Sequence, residues 1–304
     1  MGHGHRHGTG VQHRGRLALV LGIALVVFVV QLVVAALTGS LALFADAGHV
    51  LTDAVGVAMA LIAITVGQRG GGRDVRSSYG FHRAEVLAAG ANGLILLGLC
   101  VAIVIGAVRR LTEPVAIDGG LVLAAGAVGL AANVVALMLL RDGATQNLNV
   151  RGAYLEVLGD ALGSVAVLVS AAVIVLTGWN QADPIASLVI AALIVPRAVT
   201  LLREVGEVLL ESAPRDVDLA ELRDHLMGAD GVVDVHDLHV WTITSGMPVM
   251  SAHIVVDDAV VDMTDAQVIL GRLHGCLAEH FDVEHSTLQI EPRGHADTEA
   301  HVHH

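Results

Sequence analysis

Six long apolar stretches mark this chain, at about 16–38, 41–67, 84–108, 117–140, 150–177 and 184–203. Each has the length an α-helix needs to cross the roughly 30 Å hydrocarbon core of a bilayer. The breaks between them are rich in turn-forming and charged residues. Thr38-Gly39-Ser40 reads as a tight turn, and Gly70-Gly71-Gly72 lies in an Arg-bearing loop. Thr112-Glu113-Pro114, Arg141 to Asn149 and Thr177 to Pro184 separate the rest. The run from Leu17 to Leu37 follows Arg14 and Arg16, yet it is too long for the apolar part of a signal peptide and reads as a first span. From 204 onward the pattern shortens. Asp216 to Met227 reads as an amphipathic helix, Val232 to Thr244 and Val249 to Val256 as strands joined by Ser245-Gly246-Met247-Pro248. Thr264 with Gln267 predicts a capping box for a helix to about Phe281, and Ser286 to Glu291 alternates as a third strand. The expected architecture is a membrane all-α six-helix bundle followed by a small α+β domain in the order αββαβ. The expected segments are a His-bearing tail at 1–15, a membrane domain at 16–203, a cytoplasmic domain at 204–293 and a second His-bearing tail at 294–304.

Two pairs of polar residues interrupt the greasy helices. His49 and Asp53 lie in the second stretch, Glu156 and Asp160 in the fifth, each pair at i,i+4. That spacing puts both members of a pair on one helix face, about 6 Å apart along the axis. Ionisable groups at such depth cost about 2.5 kcal/mol or more each on insertion scales, so they are read as functional. One imidazole and three carboxylates suit a divalent metal, and two facing pairs would supply the four donors of a tetrahedral site. Neither of the two helices carries an arginine near these positions, so a structural explanation by ion pairing is hard to arrange from the sequence. Asp46, one turn before His49, reads as a relay or a partner that orients a ligand. Asn92 and Asn133 read as amides bonding between helices. Gly159 and Gly163, with Gly48 and Gly56, read as places where helices approach closely.

Charge sharpens the division. Residues 1–203 hold 13 Arg and 10 acids, and residues 204–304 hold 4 Arg and 20 acids, which together give the net charge of −13. A nearly neutral membrane half followed by an acidic domain argues against nucleic acid and against anionic lipid as partners, and favours cations. Nine arginines fall in the N-terminal tail and in the second and fourth loops, against Arg109 and Arg110 on the other side. With an even number of spans, both termini are expected in the cytoplasm of a protein of the inner (plasma) membrane. Two cysteines, Cys100 and Cys276, with no CxxC, exclude a disulfide framework or a thiolate zinc site.

The segment from Ala45 to Asp53, ADAGHVLTD, resembles the second membrane helix of the cation diffusion facilitator family. The segment from Asn149 to Ser164 resembles its fifth helix, and Tyr79 to Glu85 its entry to helix three. The resemblance covers about 16–292 and is closest to the bacterial zinc, cobalt and cadmium efflux branch. It implies a homodimer, a metallochaperone-like cytoplasmic domain and export of divalent metal against proton entry. Many zinc-transporting members have His where this chain has Glu156. Three ionised carboxylates would overcompensate a divalent ion by one charge, which points to an exchangeable proton on Glu156, with Asp160 as its companion in proton coupling. The oxygen-rich donor set leaves Zn2+, Co2+, Cd2+ and Mn2+ open as substrates.

In the acidic domain the candidate metal ligands are His236, His239, His253, His285 and Glu291. On a regular strand His236 and His239 would face opposite sides, and only a loop or bulge would lift that limit. The resemblance places regulatory metal, Zn2+ first, at positions matching His236, His253 and the Gln289/Glu291 end. The tails add His3, His5, His7, His13, His295, His301, His303 and His304, read as loose metal capture. A different class, the intramembrane metallohydrolase, lacks the HExxH it would need. A membrane-anchored metal sensor would need the soluble site alone. An enzyme is not expected.

Overall fold

The computed structural model describes residues 9–69, 79–144, 148–244, 246–258, 262–281, 283 and 285–295; some side chains inside these ranges, Asp53 and His13 among them, lie outside the description. His3, His5, His7, His301, His303 and His304 also fall outside it. Six long helices come first: α1 (Thr9–Thr38), α2 (Leu41–Arg69), α3 (Arg83–Thr112), α4 (Gly119–Ala144), α5 (Leu148–Thr177) and α6 (Ala182–Leu209). Among the described residues, α3, Gly119–Arg141, Val150–Thr177 and α6 are each long and apolar enough to cross a membrane, with shorter apolar runs at Gly22–Thr38 and Leu41–Thr52. The six-helix membrane bundle predicted from hydropathy is the fold observed.

The described residues group into two compact units. The first takes residues 1–58 and 91–202, and the second residues 59–90 and 203–304. In the first unit all six helices contribute to one core, from Ala35, Leu43, Leu96, Val122, Val167 and Ile190 outward. Small residues let the helices approach. A Cβ on Gly48 would lie 2.8 Å from Leu99 of α3, and one on Gly126 would lie 3.2 Å from Val167 of α5. Asp183, at the start of α6 and fully buried, does what the sequence did not announce. Its carboxylate accepts from Ser40 Oγ at 2.5 Å and from the backbone N–H groups of Leu41 at 2.8 Å and Ala42 at 3.3 Å. These are orphan donors of the first turn of α2, so one helix caps another across the bundle. The turn before α2 needs Gly39, at φ +71°, and Arg110 donates to its carbonyl.

The second unit carries the αββαβ domain: α7 (Leu219–Met227), β1 (Val232–Thr242), β2 (Pro248–Val256), α8 (Met263–His280) and β3 (His285–Glu291). The sheet order is β1-β2-β3, with β1 antiparallel and β3 parallel to β2. Val235, Val240, Met250, Ile254 and Ile290 line the sheet face that packs on Leu222, Leu226, Leu273 and Leu277 of the two helices. Asp262, not Thr264, caps α8: its side chain accepts from the N–H groups of Thr264 and Asp265. Glu85 in the first turn of α3 is matched within this unit, accepting from Thr244 Oγ1 at 3.0 Å, and Arg83 pairs with Glu211 at 2.7 Å.

Candidate metal-transport centre

In the first unit, α2 and α5 bring His49 and Asp160 together. His49 Nε2 lies 2.9 Å from Asp160 Oδ1, and its Nδ1 faces the Ala45 carbonyl at 3.4 Å. The imidazole is buried, while Asp160 is partly open to a cavity of about 480 Å³. That cavity is lined by His49, Glu156, Gly159, Asp160 and Arg197 with apolar residues of α3, α5 and α6. The contact between Nε2 and an ionised Oδ1 requires one proton between two lone pairs. Asp53 follows His49 by one turn on α2.

Glu156 lines the cavity with His49 and Asp160 and has a partner that the sequence did not point to. Its Oε1 lies 2.6 Å from Nη2 of Arg197, which projects from α6 into the same cavity. The premise that no arginine reaches the polar pairs holds for α2 and α5 alone. The signal was available: Arg197 is itself an ionisable residue in an apolar run, the rule that singled out the four candidate ligands.

Asp46 is buried in a network that joins four helices. Gln31 Nε2 of α1 donates to its Oδ2 at 2.7 Å and Ser164 Oγ of α5 at 3.3 Å, while Asn133 Nδ2 of α4 donates to Ser164 Oγ at 3.2 Å. Asp46 Oδ1 has no hydrogen-bond partner among the described residues. Asp46, Gln31, Asn133 and Asp160 line a second cavity of about 40 Å³, so Asp160 borders both. Beside Ser164, a Cβ on Gly163 would sit 2.7 Å from Asp46 Oδ1, whereas a Cβ on Gly159 would meet nothing within 4 Å. The close-packing reading therefore describes Gly163 and not Gly159.

In the second unit, donor atoms of His236, His253 and Glu291 lie within 4.8 Å of one another. His236 Nε2 is 3.1 Å from Glu291 Oε2, and His253 Nδ1 is 2.8 Å from Glu291 Oε1. Gln289 Nε2 donates to Glu291 Oε1 at 2.7 Å. Two imidazoles and a carboxylate, buried except for part of His253, have the donor chemistry of a three-ligand zinc site. The register explains the convergence: His236 pairs with His253, which pairs with Gln289, so all three share one face. Between His236 and His239 the ladder slips, since His239 pairs with Ser251. Three steps on β1 match two on β2, a bulge centred on Asp237 at φ +46°. The bulge returns His239 to the face of His236, but its side chain is 54% exposed and its Nε2 lies 3.9 Å from Asp237 Oδ1. His285 pairs with Val249, four residues from the Gln289 level or about 13 Å along the strand. Neither His239 nor His285 belongs to the three-residue group.

Comparison with known proteins agrees over nearly the whole chain. Residues 17–210 match the Cation efflux transmembrane domain and residues 214–293 the Cation efflux protein, cytoplasmic domain. The metal cation efflux system protein CzcD of Cupriavidus metallidurans is 38% identical over 303 residues, covering 99% of this chain and 94% of that protein. The cadmium, cobalt and zinc/H(+)-K(+) antiporter of Bacillus subtilis is 34% identical, covering 100% and 94%. The zinc transporter ZitB of Escherichia coli is 36% identical, covering 96% and 93%. Among solved structures, the metal-bound C-terminal domain of the CzcD transporter is 40% identical at a TM-score of 0.23, covering 25% of this chain and 99% of that one. Six apolar helices with His49 and Asp160 in contact between α2 and α5, followed by an acidic αββαβ domain, thus make this chain a member of the cation efflux (cation diffusion facilitator) family, a multi-pass membrane transporter and not an enzyme.

Proposed function

We propose that the chain exports a divalent transition metal, Zn2+ first, from the cytoplasm in exchange for protons. The observation that carries this reading is the 2.9 Å approach of His49 and Asp160 at the wall of a cavity inside the membrane unit. The substrate metal is held by His49, Asp53 and Asp160, with Glu156 beside them; protons return to the same groups when it leaves. Zinc in the name of ZitB, and cadmium, cobalt, zinc and H(+) in that of the Bacillus antiporter, support both halves of the proposal. Co2+, Cd2+ and Mn2+ are the competing substrates. Asp46 is the proposed relay between the two cavities that Asp160 borders.

The transporter works as a homodimer in the plasma membrane, with both termini and the 204–293 domain in the cytoplasm. Zn2+ at His236, His253 and Glu291 relieves the repulsion between two acidic domains and draws them together, favouring transport. Alternating access exposes the α2–α5 centre to one side at a time. The test is metal uptake into acid-loaded proteoliposomes by wild type and Asp160→Ala. Loss of uptake supports the reading, and survival of uptake in Asp160→Ala would sink it. A membrane-anchored sensor would keep zinc-dependent behaviour in that variant and show no flux in either protein.

A further inference from the structure

We infer that Arg197 is the fixed counter-cation of the transport centre, holding Glu156 as an ion pair so that the site presents two net negative charges to a divalent ion. The inference rests on the transport reading of His49, Asp53 and Asp160. Asp53, Glu156 and Asp160 bring three negative charges to a site whose cargo carries two positive ones. Arg197, 2.6 Å from Glu156 and lining the same cavity as His49 and Asp160, removes the excess. A resident proton on Glu156 is then unnecessary, and the exchanged protons fall to the remaining groups.

Both side chains are partly open, 46% and 38% exposed, and an ion pair open to solvent is worth little; what sets this pair apart is that both members line the cavity of His49 and Asp160. Arg197 stands in the apolar run of α6, with Leu193, Ile194 and the buried Ala198 around it. A guanidinium at such a site needs a carboxylate partner. Pro196, immediately before it, removes the intrahelical bond to the carbonyl of Ala192. At Glu156, where the sequence departs from the zinc-type pattern, Arg197 is the contacting cation, at 2.6 Å. An arginine also selects among metals. With Glu156 occupied, the ion meets one imidazole and two aspartates. With Glu156 released, it meets a third hard oxygen donor, which shifts preference toward Mn2+.

The test is Zn2+ transport by the full chain in proteoliposomes, read as KM and maximal rate for four variants. Glu156→Gln leaves the guanidinium unopposed beside the site and raises KM by about tenfold. Glu156→Gln with Arg197→Gln restores the charge and returns KM to within about threefold of wild type. Arg197→Gln alone lowers both KM and maximal rate, because the ion binds more tightly and leaves more slowly, and it raises competition by Mn2+. Arg197→Lys keeps the charge and behaves as wild type, which a purely packing role for the guanidinium would not give. A double variant no better than Glu156→Gln, or an Arg197→Gln protein with unchanged KM, rate and Mn2+ competition, overturns the inference. Asp160→Ala, run alongside, separates the two levels. If it still transports, the site itself is misread; if it is inactive while Glu156 and Arg197 show no coupling, only the role of Arg197 falls.

Discussion

Two glycines one turn apart on α5 should respond to the same substitution with opposite signs. At Gly163, an added Cβ would lie 2.7 Å from Asp46 Oδ1, closer than real Cβ atoms approach. Asp46 cannot yield cheaply, because it is buried and its other oxygen is held by Gln31 at 2.7 Å and Ser164 at 3.3 Å. Either the carboxylate rotates and loses a hydrogen bond, about 1 kcal/mol, or α2 and α5 part by several tenths of an ångström, an overpacking strain of about 1–3 kcal/mol. Against this, alanine gains up to about 1 kcal/mol over glycine inside a helix. Gly163→Ala should therefore destabilise by a net of up to about 2 kcal/mol. The same parting stretches the His49–Asp160 contact one turn away, and misplacement on that scale costs transport on the order of tenfold or more. Gly159→Ala meets open space and should be stabilised by up to about 1 kcal/mol. Thermal unfolding of the two purified variants in one detergent, with Zn2+ uptake measured on the same preparations, checks both. A Gly163→Ala protein as stable and active as wild type would refute the argument that α2 and α5 meet at Asp46.

Asp183→Ala removes three accepted hydrogen bonds and leaves buried donors at the start of α2, so it should cost about 2–4 kcal/mol; a melting temperature within a degree of wild type would contradict the cap. Asp262 is held below the usual carboxylate range by the N–H groups of Asp265 and Thr264 that it caps. A depressed folded value means its stabilisation is present above about pH 4 and is lost as pH falls through the lower folded value. Amide exchange at Thr264 and Asp265 should thus be faster in Asp262→Ala than in wild type at neutral pH, with the difference closing as pH falls below the ordinary carboxylate range and through the lowered folded value. Glu291→Gln removes the one carboxylate of the three-residue group in the cytoplasmic domain. Measured by chelator competition in an Asp160→Ala background, Zn2+ affinity of that domain should fall by about tenfold or more, and unchanged affinity would exclude Glu291 as a ligand.

The helices and the αββαβ order were legible because hydropathy length and a period of two are local properties of the chain. The i,i+4 pairs were legible for the same reason. What escaped depends on how elements turn toward one another. Arg197 and Glu156 are 41 residues apart, and only the rotation of α5 against α6 brings them to 2.6 Å. Asp183 caps a helix 142 residues away in sequence. Asp262 and Thr264 are both good capping residues, and the point where the chain enters α8 decides between them. The shared face of His236 and His239 needs a left-handed Asp237, a conformation aspartate tolerates but sequence does not signal.

The central claim, that metal and protons exchange at one centre between α2 and α5, is tested most directly by recording Zn2+ and proton fluxes together in proteoliposomes containing the wild-type chain and His49→Ala. The account predicts opposed, simultaneous fluxes in the wild type that are lost together in His49→Ala. Zn2+ flux that persists in His49→Ala, or that is indifferent to collapse of the pH gradient in the wild type, would contradict it.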